Sequence, residues 1–124
     1  MKVLLAEDEK NFGMVLKNEL ADAGYEVDLA ADGVEAVLRF IDNKYDFVLL
    51  DIKMPKLDGI NALRIMKKID RDVPAITYSG NAGSGEMADS VKAGAIRCLT
   101  KPISIATLRQ EIEKHRGRRG GGER

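Results

Sequence analysis

Five side chains able to bind a cation or handle a phosphate stand just past the ends of short apolar runs. "KVLLA" leads into Glu7 and Asp8, "FVLLD" closes on Asp51, "PAITYS" closes on Ser79, and "IRCLT" leads into Lys101. In open α/β sheets ligands bind outside the carboxyl ends of the strands, where strand order reverses. If each run is a strand of one parallel sheet, three acids, a hydroxyl and an ammonium share one rim. Carboxylates so gathered repel each other. One like-charge pair at contact costs about 1 kcal/mol in water and about 4 kcal/mol at an effective dielectric of 20. Lys101 offsets part of this, and a hard divalent cation offsets more. Mg²⁺ takes a few carboxylates, keeps several waters and often sits beside a phosphate. An ionised acid at the end of a buried strand therefore makes sense in a cation site that also receives a phosphoryl group.

Each residue also has a plainer use. Glu7 and Asp8 suit a solvated turn capping a helix that starts near Asn11, and Asp51 suits a capping acid. Ser79 suits a turn, Lys101 the surface, and Pro102 the first turn of a helix. The coincidence of all of them at the same end of different strands favours the site.

The elements that must position these groups alternate. β-type runs recur at "KVLLA", "EVDLA", "FVLLD", "PAITYS" and "IRCLT", with helical periodicity between them. Phe12, Leu16 and Leu20 follow at i, i+4 and i+8, with Gly24 as the stop. Asp32 and Glu35 form a capping-box pattern ahead of Val34, Val37, Leu38 and Ile41, which are expected to face inward. A third helix is predicted from about Gly59 to Ile69, with Ile60, Leu63 and Met66 inward. The glycine-rich fourth segment predicts a helix from near Ser84. Ser104 caps the fifth, where Ile105, Leu108 and Ile112 line one face and Ile103 with Leu108 forms a hydrophobic staple. Five βα units in a row predict a parallel sheet with helices on both faces. The apolar first and third strands suit its centre, and alternating "EVDLA" suits an edge.

The chain is one domain of 124 residues with 44% apolar residues and no formal net charge, so the fold as a whole is not a nucleic-acid-binding surface. A single cysteine, Cys98, excludes an intrachain disulfide. The first apolar run is too short for a signal peptide core or a membrane span, making the cytoplasm the expected location. The basic, glycine-rich tail "KHRGRRGGGER" reads as a disordered end or the start of a linker, and suggests a piece of a longer protein. It has no aromatics to support nucleic-acid binding. The expected division is a domain over 1–116 and a tail over 117–124.

The pieces "AEDE" (6–9), "DIKMPKLDG" (51–59), "SG" (79–80), "KAGA" (92–95) and "TKP" (100–102) together resemble the receiver domain of two-component response regulators. They run in family order and spacing across about Lys2 to His115. The resemblance implies a flavodoxin-like, doubly wound five-stranded sheet of order 2-1-3-4-5 with five helices. It implies that Asp51 accepts a phosphoryl group from the phosphohistidine of a sensor kinase or phosphotransfer protein. Glu7, Asp8, Asp51 and the backbone carbonyl of Lys53 would hold Mg²⁺, or Mn²⁺ in its place. Lys101 would pair with the phosphoryl oxygens, Ser79 would supply the switch hydroxyl, and the Lys101–Pro102 peptide would be cis. The family also implies self-phosphorylation and slow autodephosphorylation only, a signalling face around the fourth helix and fifth strand, and a homodimer through that face together with the fifth helix. Membrane contact and direct nucleic-acid binding are not implied.

The chain departs from the family where Cys98 replaces the usual aromatic switch residue, Ile103 the usual phenylalanine and Gly80 a frequent alanine. Alternation places Cys98, Thr100 and Ile96 on one face, with the thiol a small half-buried group rather than a redox sensor. The ring-based part of the switch is then expected to be missing. One rival is an interaction module of the same fold that is never phosphorylated, against which the acidic pair, Asp51 and Lys101 speak; another is a Mg²⁺-dependent aspartyl-phosphate phosphatase. Such an enzyme carries a second acid two residues after its nucleophile, and here that residue is Lys53.

Overall fold

The computed structural model describes residues 1–81 and 83–116, so the expected tail at 117–124 lies outside the described residues. Strands β1 (Lys2–Ala6), β2 (Glu26–Ala30), β3 (Phe47–Asp51), β4 (Ala75–Ser79) and β5 (Arg97–Thr100) alternate with helices α1 (Lys10–Asp22), α2 (Gly33–Asp42), α3 (Gly59–Ile69), α4 (Ser84–Ala93) and α5 (Ile105–Lys114). The strands form one parallel sheet in the order β2-β1-β3-β4-β5. This is the flavodoxin-like doubly wound fold. From β1 the chain turns one way to β2 and then crosses back to β3. Because β1 and β3 are direct neighbours, with Ala6 opposite Leu50, the reversal point sets Glu7 beside Asp51.

Every residue of β3 and β4 is buried, as strands covered on both faces require. Alternation divides their side chains between two cores. Leu4, Val48 and Leu50 pack with Phe40, Leu63 and Met66 beneath α2 and α3. Val3, Leu5, Leu49, Ile76 and Tyr78 pack with Leu16, Leu20, Leu108 and Ile112 beneath α1 and α5. Truncating a fully buried leucine such as Leu5 or Leu63 to alanine should cost about 2–5 kcal/mol.

Most helix boundaries follow their local signals. Gly24 adopts φ 102°, the left-handed conformation of a helix stop, just past α1. The carboxylate of Asp58 caps α3 through the Asn61 amide, and Ser104 caps α5 through the Thr107 amide. A Cβ on buried Gly59 would collide with the Asp51 carbonyl oxygen, so glycine lets α3 start against the end of β3. Leu63 and Met66 are buried and Ile60 is half-buried. Helix α4 begins at Ser84 and buries Ser90, whose hydroxyl pairs with Thr77 of β4 at 2.7 Å. In α5, Leu108 and Ile112 are buried, while Ile105 and Ile103 pack partly on the same cluster. The Lys101–Pro102 peptide is cis.

Three expectations need correction. In α2 the inward face is Gly33, Ala36 and Phe40, with Val37 half-buried, whereas Val34, Leu38 and Ile41 are 41%, 56% and 57% exposed. Close approach decides the rotation of the helix. Gly33 abuts the Leu57 carbonyl so tightly that no Cβ fits, and Ala36 lets the helix settle on the sheet. The cap of α1 is Glu9, which accepts from the Phe12 amide, and not the preceding acids; the helix starts at Lys10. Ile96, expected beside Cys98, instead packs with Leu99 against the core under α5; it precedes the start of β5 at Arg97, so the strand's alternation does not extend to it.

Candidate functional site

Glu7 follows directly from β1, and its amide donates to the Ala30 carbonyl at 2.9 Å. Its residue is 2% exposed, a rare position for a carboxylate without partners. The partners are present. Oε2 accepts the Glu9 amide at 2.9 Å, and Oε1 accepts the Tyr78 hydroxyl at 2.8 Å. Burial pushes the Glu7 carboxyl above its usual pKa, while these two donors pull part of the way back. Asp8, next in the chain, is exposed.

Asp51 ends β3 and is 4% exposed. Its Oδ1 accepts the Lys53 amide at 3.0 Å, and its Oδ2 faces Lys101 Nζ at 3.2 Å. Glu7, Asp8 and Asp51 each offer an oxygen within 4.8 Å of the others. The donors are hard oxygens, two of the three acids are buried, and one ammonium faces them. That donor set and charge excess fit a small divalent cation such as Mg²⁺.

Lys101 follows β5, where its amide holds the Ser79 carbonyl at 2.9 Å. The ammonium reaches Glu7 Oε1 at 3.6 Å as well as Asp51. It also lies 4.7 Å from the Phe12 ring centroid and 5.5 Å from that of Tyr78. Those aromatic faces add cation–π attraction. Burial works against the ammonium, but Asp51 and then Glu7 outweigh it and hold the pKa above the usual lysine value.

Ser79 is buried at the end of β4, and its Oγ accepts the Asn81 amide at 3.3 Å. Cys98 is half-buried on β5, opposite Thr77, with only a 4.0 Å contact from Sγ to the Leu99 carbonyl. Arg97 turns to Glu111 of α5, away from the thiol. A cleft of about 1180 Å³ opens beside the acids, lined by Asp8, Lys53, Met54 and Asp58 and by Glu86 and Lys92 of α4.

The sequence-predicted acids and Lys101 thus converge, and Ser79 ends the neighbouring strand. Tyr78 and Phe12 were not foreseen as parts of the site. The available signal was a tyrosine in an otherwise apolar strand directly before Ser79, since a buried phenol needs a partner.

The response regulator receiver domain model matches residues 3–113. The chain belongs to this family. The receiver domain is 33% identical over 113 residues to the transcriptional regulatory protein RprY of Bacteroides fragilis, a match covering 91% of this chain and 48% of RprY. It spans about half the length of such curated regulators. Among solved structures it is similar to the Francisella response regulator 1452 receiver domain, at 33% identity and TM-score 0.86, covering 94% of this chain and 97% of that one. It is also similar to a chain of the CheX–CheY–BeF3–Mg²⁺ complex from Borrelia burgdorferi, at 30% identity and TM-score 0.85, covering 92% and 87%. Among the described residues of this receiver domain, no helix is long and apolar enough to cross a membrane.

Proposed function

We propose that this receiver domain is a phosphoacceptor switch in which Asp51 takes a phosphoryl group from the phosphohistidine of a sensor kinase or phosphotransfer protein. The single observation carrying this reading is the buried Asp51 carboxylate facing Lys101 at 3.2 Å, with Glu7 and Asp8 alongside. A carboxylate oxygen of Asp51 attacks phosphorus, the phosphorus–nitrogen bond breaks, and the electron pair leaves with the imidazole, which takes up a proton. Phosphoryl transfer asks the protein for positioning and charge stabilisation more than for covalent chemistry of its own. The Lys53 amide and the Lys101 ammonium each hold one Asp51 oxygen, which orients the nucleophile.

Glu7, Asp8, Asp51 and the Lys53 carbonyl hold the cation in this reading. Mg²⁺, when bound, neutralises charge on the acids and on the transferring group. The Mg²⁺ in the Borrelia burgdorferi complex supports this choice.

The added phosphoryl charge draws the Ser79 hydroxyl away from the Asn81 amide. That biases the loop before α4, and with it the face formed by α4 and β5. Extended through α5, the same surface serves for pairing with a second copy. Half-buried Cys98 cannot fill an aromatic ring's volume, so the movement of Ser79 and its loop carries the signal. In this reading residues 1–116 are the receiver domain and 117–124 a basic, glycine-rich tail or the start of a linker.

The rival phosphatase reading lacks its general acid, because Lys53 stands two residues after Asp51 and its side chain is exposed. Incubation with excess small phosphodonor and Mg²⁺ separates the two. One phosphoryl group per chain, with donor consumption limited by slow release, is the expected result; rapid multiple turnover of general phosphoesters would overturn it.

A further inference from the structure

The roles above leave Tyr78 unexplained. It is fully buried on β4, one residue before Ser79, and packs in the core under α1 and α5. Its hydroxyl has two oxygens within reach. The Ala6 carbonyl lies at 3.4 Å, and Glu7 Oε1 lies at 2.8 Å. A tyrosine needing only to satisfy its phenol has the neutral carbonyl nearby, yet the shorter bond goes to the charged acceptor, the stronger kind of hydrogen bond.

From the other side, Glu7 has one methylene more than the neighbouring Asp8 and one more torsion to fix. A ligand with that freedom loses rotamer entropy on binding a cation unless it is already held. Here both oxygens are held: Oε2 by the Glu9 amide at 2.9 Å and Oε1 by Tyr78. Lys101 is farther from Oε1, at 3.6 Å, and is shared with Asp51. Among the described residues Tyr78 is therefore the closest side-chain donor to Glu7, and it comes from a different strand. The Tyr78 ring meets Phe12 edge-on, with centroids 6.2 Å apart, and both rings lie beside the Lys101 ammonium.

We infer that Tyr78 is a positioning residue of the cation site, its hydroxyl fixing the Glu7 carboxylate for a divalent metal ion. The inference rests on the reading that Glu7, Asp8 and Asp51 hold Mg²⁺. Hydrogen-bonding partners of ligating carboxylates commonly contribute about tenfold or more to metal affinity. Without the hydroxyl, Oε1 keeps Lys101 as its partner among the described residues, and the carboxylate, still held at Oε2 by the Glu9 amide, can turn toward the ammonium.

The test is a Mg²⁺ titration by calorimetry on the whole chain, without phosphodonor, for wild type, Tyr78→Phe, Glu7→Gln and the double variant. Tyr78→Phe keeps the ring and its packing. The Mg²⁺ dissociation constant should rise about tenfold in Tyr78→Phe. Little further change should follow when Tyr78→Phe is added to Glu7→Gln, because the hydroxyl acts through that carboxylate. Thermal melting in EDTA supplies the structural control. A lower melting temperature with an unchanged Mg²⁺ constant would overturn the inference while leaving the cation site standing. Absence of Mg²⁺ binding by the wild-type chain would overturn the site itself, and the role of Tyr78 with it.

Discussion

The Lys101 ammonium lies 3.2 Å from Asp51 Oδ2, across a join between β3 and the end of β5 that spans fifty positions of sequence. The pair has a chemical consequence. Lys101 is the one side-chain cation touching the acid at the end of β3 among the described residues, and it is held by Glu7 and two aromatic rings as well. Lys101→Ala should keep Mg²⁺ binding, since the three acids remain, but slow phosphorylation by a small donor about 100-fold. Parallel Mg²⁺ titrations and phosphorylation time courses would check this. A rate within threefold of wild type would count against the ammonium's role.

Ser79→Ala should still accept a phosphoryl group, because Asp51, the acids and Lys101 are untouched. What it should lose is the response. In wild type, amide exchange in α4 is expected to change on phosphorylation, since α4 buries one residue, Ser90, and is tied to β4 by the Thr77–Ser90 hydroxyl pair. In the variant that change should fall to less than half. An undiminished response would remove Ser79 from the switch.

These expectations draw on parts of the molecule that sequence exposes unevenly. The strand ends were legible because β3 is a continuous apolar run broken by an acid, and because a parallel sheet puts all such ends on one rim. The rotation of α2 was not. Val34, Leu38 and Ile41 form as good a helical stripe as Gly33, Val37 and Phe40, and only the contact between Gly33 and the Leu57 backbone selects the second. Periodicity counts apolar residues, whereas packing here selects the smallest ones. Tyr78 was hidden for a different reason. Its partner Glu7 is seventy-one positions away, and a side-chain bond across the sheet leaves no local pattern. The cap at Glu9 was masked by two neighbouring acids of the same charge.

The end of α5 gives a prediction about pH. Glu113 accepts from Arg116 and from the Tyr25 hydroxyl, and these bonds, Arg116 first, lower its pKa to about 2. A carboxyl whose folded pKa lies below its unfolded value contributes stability above the unfolded pKa, near 4.5, and loses it as pH falls toward 2. Wild type should therefore melt higher than Glu113→Gln above pH 4.5, with the two curves converging toward pH 2. Parallel curves over that range would show that the clasp contributes nothing through its charge.

The central claim is that Asp51 is the phosphoacceptor, and intact-mass spectrometry after exposure to acetyl phosphate tests it most directly. With Mg²⁺ present, the wild-type chain should gain one phosphoryl group. The gain should be lost on adding EDTA and absent from Asp51→Asn. Equal labelling of Asp51→Asn would contradict the claim outright.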